Sequence, residues 1–286
     1  MEPMPHDPLS QQAIIRDTPR MSADDRFTFR CDATLKCFTS CCRDISIVLT
    51  PYDVLRLKRA VHVDSSEFLR RYTVQPFTRD QKVPAVLIKM DPETRRCPFV
   101  TGQGCSVYAH RPWACRMYPL GVAEPRTTTP SDSRFHFLIH DSTCDGHARG
   151  ESIAVRDWIS GQGIDEYDLM GRPFTELMLH DSWDTDASLP PDRLDMYFMA
   201  CYDLDRFRRF VFESRFLTLF DLDEARVEAM RSDDEELLDF AMQWLRFCLF
   251  GDKTMRVKAS VLDARREAQA RDGVPQAPAD CQPARG

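Results

Sequence analysis

Eight of the chain's eleven cysteines fall between residues 31 and 144: Cys31, Cys37, Cys41, Cys42, Cys97, Cys105, Cys115 and Cys144. The first four form a C-x5-C-x3-C-C group, the next three a C-x7-C-x9-C group, and Cys144 stands alone. Thiolates are soft ligands that favour zinc, cuprous ions and iron–sulfur clusters. Four of them complete one tetrahedral zinc or one four-iron cluster, so eight suit two such sites, or one site plus a redox or reactive group. Zinc knuckles usually offer C-x2-C pairs, and this sequence has none. Side chains of adjacent residues diverge, so Cys41 and Cys42 suit different irons of a larger cluster, or two separate centres, better than one small ion. The spacing therefore favours an iron–sulfur cluster, of the 4Fe–4S type, over zinc.

Basic residues accompany these thiols. Arg111 and Arg116 flank Cys115, and Arg43 follows Cys42. Four thiolates around a dication or a 4Fe–4S core leave a net charge of about −2, which such arginines offset; as plain surface residues they need no such role. His147, three residues after Cys144, is a candidate further ligand that reads more simply as a solvated loop histidine. His136 and His140 read as ordinary strand residues. Cys201 and Cys248 lie on apolar helical faces and read as core, and Cys281 as a free thiol in a tail.

The elements that must carry these residues are legible in outline. Thr50 caps a helix with Pro51 at its first position and Asp53 at its third. Val54, Leu57 and Val61 follow at helical spacing. Asp64 and Glu67 start a second helix carrying Phe68 and Leu69. Val83 to Met90 reads as a strand ending in an Asp91-Pro92-Glu93-Thr94 turn. Gly102-Gln103-Gly104 turns the chain between Cys97 and Cys105. Pro112 opens a short helix bearing Cys115, and Arg134 to His140 is a strand leading towards Cys144. Asp192 to Phe216 is aromatic-rich and helical, with a break at Asp203 and Asp205. Asp233 to Phe250 is the clearest helix, with Leu237, Ala241, Trp244 and Cys248 on one face and Gly251 as its stop.

The expected fold class is α+β: a small cysteine-rich domain pinned by metal, over residues 27–150, followed by a mostly helical region over 151–270. Residues 1–26 and 271–286 read as a flexible arm and tail. Hydrophobic residues make up 43% and charged residues 29%, enough to fill cores. A formal net charge of -7 speaks against a general binder of nucleic acid or anionic membrane. No segment approaches the roughly 18 apolar residues needed to cross a bilayer. Residues 1–25 have prolines and charges where a signal peptide needs an apolar stretch. The expected location is the cytoplasm, where stable disulfides are rare and crowded thiols point to metal.

The motifs Cys31…Cys37…Cys41-Cys42, Leu49-Thr50-Pro51-Tyr52-Asp53, Cys97-Pro98-Phe99-Val100…Gly104-Cys105-Ser106-Val107-Tyr108 and Arg111-Pro112…Cys115-Arg116…Tyr118-Pro119 together resemble the YkgJ family of cysteine-cluster proteins. Cys144-Asp145-Gly146, Trp158-Ile159 and Gln162-Gly163 are similar too. The resemblance covers roughly residues 27–170, with the helical part to 251 as its outer limit. It implies a zinc- or iron-chelating domain. One branch of the family, the flagellin lysine N-methylases, implies transfer of a methyl group from S-adenosylmethionine to protein lysines. The chain departs from the family pattern at Ser40, where glycine commonly precedes the Cys-Cys pair, and in its longer spacing from Cys31 to Cys37, which sets Cys31 apart.

Nothing in the residues independently shows methyl transfer. No G-x-G-x-x-G follows a strand, and Cys37, Cys41 and Cys42 do not make a C-x3-C-x2-C pattern. Three functions remain open. The chain is a metal-binding protein whose cluster serves structure, electron transfer or metal handling, or a protein-lysine N-methyltransferase acting on a protein substrate, or an interaction module in which metal holds the fold and the helical half binds a partner.

Overall fold

The computed structural model describes residues 18–76, 82–123, 134–184 and 189–272. Most of the arm and tail, Cys281 included, lies outside them. The fold is α+β: helices dominate, and among the described residues the strands pair into small antiparallel two-stranded sheets. Two compact units divide the chain. One takes residues 1–45, 90–108 and 113–166; the other takes 46–89, 109–112 and 167–286.

All eight clustered cysteines belong to the first unit. Its longest pairing joins β1 (Arg26–Phe29) to β8 (His147–Ala154), antiparallel. Thr28 faces Ser152, but the next residue, Phe29, faces His147. Residues 148–151 bulge out at that step, with Ala148 and Gly150 at positive φ. The bulge brings the chain just before β8 alongside the end of β1. A second sheet pairs β6 (Leu120–Ala123) with β7 (Phe135–Leu138). Phe27, Phe29, Met117, Leu120, Val155 and Ile164 are buried together as a small core, with Trp158 edge-on to both phenylalanines.

The second unit is helical and better filled. Helix Pro51–Ala60 starts with the capping box expected from Thr50 and Asp53, each side chain satisfying the other's backbone N–H. Asp64 caps helix Ser65–Tyr72, which buries Phe68 and Leu69. The aromatic-rich stretch is two helices, Pro191–Cys201 and Leu204–Glu213, broken at Asp203. That break is useful: Asp203 accepts hydrogen bonds from the hydroxyls of Ser65 and Ser66, at 2.7 and 2.8 Å. The buried Lys58 pairs with Asp205 at 2.8 Å and Asp234 at 3.2 Å. Helix Asp234–Phe250 buries Leu237, Ala241 and Trp244 completely and ends on Gly251 at φ 76. Phe207, Phe210 and Phe216 pack around Trp244 at 5.3 to 5.9 Å between ring centroids.

Two local expectations change. The strand expected over Val83 to Met90 shrinks to β3 (Leu87–Ile88), paired with β2 (Thr73–Val74). Pro84 has no N–H to give a ladder, which limits the pairing. Cys201 and Cys248 are both buried in the core, as expected, and Cys248 is also disulfide-bonded. His147 opens β8 instead of lying in a solvated loop. Its ring is half-buried against Phe29 and Tyr118.

Candidate metal centre

The local chain around the first four cysteines is a series of tight turns. Asp32 accepts hydrogen bonds from the Thr34 N–H and hydroxyl, at 2.9 and 2.5 Å, and turns the chain after Cys31. Thr39 sits at φ 66, an uncommon conformation for a β-branched residue. It leads into the single 3₁₀ turn Ser40–Cys42. Such a turn rotates successive side chains by about 120°, so Cys41 and Cys42 leave the backbone in different directions.

Cys31, Cys37 and Cys144 meet through the end of β1. The Arg30 N–H donates to the Gly146 carbonyl at 3.2 Å, which sets Cys31 beside the 141–146 loop. Asp141 shapes that loop by accepting from the Thr143 N–H and hydroxyl, at 2.8 and 2.7 Å. The Asp145 N–H donates to the sulfur of Cys37 at 3.2 Å. Burial pushes the Cys31 thiol up to about 11, helped by the charges of Cys41, Cys144 and Cys37 close by. Burial, then Cys144 close by, pushes the Tyr118 phenol up, and its hydroxyl lies 3.4 Å from His147 Nε2.

Cys42 turns to a different group. The Cys97 N–H donates to the Cys42 carbonyl at 2.8 Å, beside a bridge pairing Arg43 with Arg96. The hairpin of β4 (Val100–Thr101) and β5 (Gly104–Cys105) sets Cys105 opposite Val100, while the Val100 N–H bonds back to the Cys97 carbonyl. The turn needs Gly104. Its φ is 116, and a Cβ there would stand 3.1 Å from the Phe38 ring. Cys115 rides on the helix Trp113–Met117 expected after Pro112. Cys97, Cys115 and Cys105 are the thiols whose charges reach Cys42.

The neighbouring Cys42 raises the Cys41 thiol, with burial adding to it, and Cys41 in turn lowers Cys42. Burial raises Cys97. None of the eight is in a disulfide. Three are exposed and five half-buried, unlike the buried Cys201. Buried small hydrophobes would not be distributed this way. Among the described residues no three donors already converge on one point. The fold supplies neighbourhoods of thiols, which side-chain rotation must close around a metal. Soft, deprotonatable donors in this number fit zinc or an iron–sulfur core.

Arg116 is buried and one of its N–H groups donates to the Gln162 carbonyl at 2.7 Å. Tyr118 lies close to Cys144 through the pairing of distant segments, which spacing cannot reveal.

Residues 30–145, which contain all eight cysteines, match the model of the CxxCxxCC family, described as "Putative zinc- or iron-chelating domain". Neither curated proteins nor solved structures yield a match. The segment that carries the thiol neighbourhoods is thus similar to a metal-chelating domain.

Proposed function

We propose that this chain is a metal-binding cysteine-cluster protein and that its thiols hold an iron–sulfur cluster, with zinc as the alternative occupant. One observation carries the reading. Eight thiols distant in sequence gather in one unit, without disulfides and without becoming core. The match to a zinc- or iron-chelating domain supports the same conclusion. The preference for iron–sulfur comes from the adjacent Cys41-Cys42 pair and from the lack of C-x2-C pairs. Bound there, such a group supplies either rigid cross-linking of the loops or one-electron chemistry. The Asp145 N–H orients the Cys37 sulfur.

The resemblance to the YkgJ family agrees with this reading. Its lysine-methylating branch, with S-adenosylmethionine as donor and a protein as substrate, rests on that resemblance alone. Labelled methyl donor incubated with a lysate tests it. Crowded reduced thiols also favour a reducing compartment such as the cytoplasm, and no described helix is long and apolar enough to cross a membrane.

Anaerobic purification with metal and sulfide analysis decides the occupant. Iron with an equal amount of acid-labile sulfide, in a brown preparation, is the expected result. Zinc without sulfide selects the alternative. A folded protein free of metal after such a preparation overturns the proposal.

A further inference from the structure

We infer that the eight cysteines make two four-thiolate centres, parted between the adjacent residues Cys41 and Cys42: one of Cys31, Cys37, Cys41 and Cys144, the other of Cys42, Cys97, Cys105 and Cys115. The inference rests on the metal-binding reading above and specifies it.

The backbone makes the division. The first centre is assembled where β1 ends. The Arg30–Gly146 hydrogen bond joins the Cys31 and Cys144 segments, and the Asp145–Cys37 contact draws in the third sulfur. The second is assembled on the other strand-like crossing. The Cys97–Cys42 hydrogen bond and the Arg43–Arg96 bridge join the two segments, and the tight hairpin returns Cys105 to Cys97. Cys115 arrives from its short helix. The fourth member of the first centre is Cys41, which the 3₁₀ turn rotates away from Cys42. The fourth member of the second is Cys42, whose own carbonyl accepts from the Cys97 N–H.

A 3₁₀ turn at the junction explains how one dipeptide serves both sides, because its consecutive side chains diverge by about 120°. Metal binding displaces thiol protons and leaves each sulfur to its own set. Each set then has the four thiolates that a zinc or a four-iron cluster requires. The partition also gives Cys31 a place despite its long spacing.

The test uses the full-length, anaerobically prepared protein. Wild type should hold about two zinc ions, or about eight irons with as much sulfide, per chain. Cys144→Ser and Cys105→Ser should each retain half of that, and the double variant none. A footprint on wild type is independent of variant folding. Stepwise removal of metal with a chelator is followed by alkylation of exposed thiols and peptide mapping. Cys31, Cys37, Cys41 and Cys144 should become reactive as one group, and Cys42, Cys97, Cys105 and Cys115 as another. All eight becoming reactive together, with half the expected metal in wild type and none in either single variant, overturns the partition while metal binding stands. Wild type without metal overturns the metal-binding reading itself.

Discussion

At the residue scale, the difference between a ligand thiol and a core thiol is a difference in what its loss leaves behind. Removing a ligand opens the coordination sphere of a charged centre, whereas removing a core thiol leaves a small void. Cys115→Ala should therefore lower metal content and the melting temperature of the protein together. Cys201→Ala, at a site 1% exposed, should cost only about 1 kcal/mol and leave metal content unchanged. Metal analysis and thermal melts of the two variants check this, and full metal in Cys115→Ala contradicts its assignment. The thiols also set a pH dependence. Cys31 is raised from an ordinary value near 9.0 to about 11 in the metal-free fold. A native state that holds a proton longer than the unfolded chain is favoured below the unfolded value and loses that advantage as pH rises through the folded one. The metal-free protein should thus lose stability between about pH 9 and 11, an effect that loading removes because the thiolate is then already formed. Melting curves of both forms across that range distinguish them. The metal-free trend should also flatten in Cys31→Ser.

Among the elements, the β4–β5 hairpin is the most sensitive connection between backbone conformation and the second centre. Gly104 has both a positive φ and an aromatic neighbour at 3.1 Å from a notional Cβ, while Gly102 has nothing within 4 Å. Gly104→Ala should destabilise by about 1–3 kcal/mol, the usual range for backbone strain, and should weaken metal retention by displacing Cys105. Gly102→Ala should do neither. Chelator-competition and melting measurements on this pair separate a hairpin requirement from a general intolerance of alanine. Helix starts behave more locally. Thr50→Ala removes one side of a capping box, with an expected loss of about 1 kcal/mol and no change in metal.

For the whole molecule, the two units are stabilised by different means. Among the described residues the unit with the cysteines has a small buried cluster, and metal held by its loops would add to its order. The helical unit has Phe207, Phe216, Phe240 and Trp244 fully buried. Chelation should open residues 30–45 and 90–108 to proteolysis and hydrogen exchange, and leave helix Asp234–Phe250 protected. Trp244→Ala should do the reverse, lowering the stability of the helical unit by about 3–5 kcal/mol while the thiols keep their metal. Hydrogen exchange resolved by segment measures both cases. Equal loss of protection in the two units on chelation would contradict this division of stabilising interactions.

The sequence by itself determined the features that depend on neighbours along the chain. The caps at Thr50 and Asp64, the stop at Gly251, the break at Asp203, the turn at Gly102-Gln103-Gly104 and the helix after Pro112 follow from side chains acting within about four residues of themselves. Cysteine type and crowding likewise pointed to soft-metal chemistry before any fold was known. Only the tertiary structure decided which thiols stand together. The Cys31–Cys144 neighbourhood depends on β1 meeting β8 across more than a hundred residues, and on a bulge that the sequence of β8 does not announce. The same holds for Cys42 beside Cys97, for Tyr118 against Cys144 and for residues 46–89 packing with the C-terminal helices. Such pairings are selected by the burial of whole faces and by backbone hydrogen bonds between distant segments, which residue spacing does not encode.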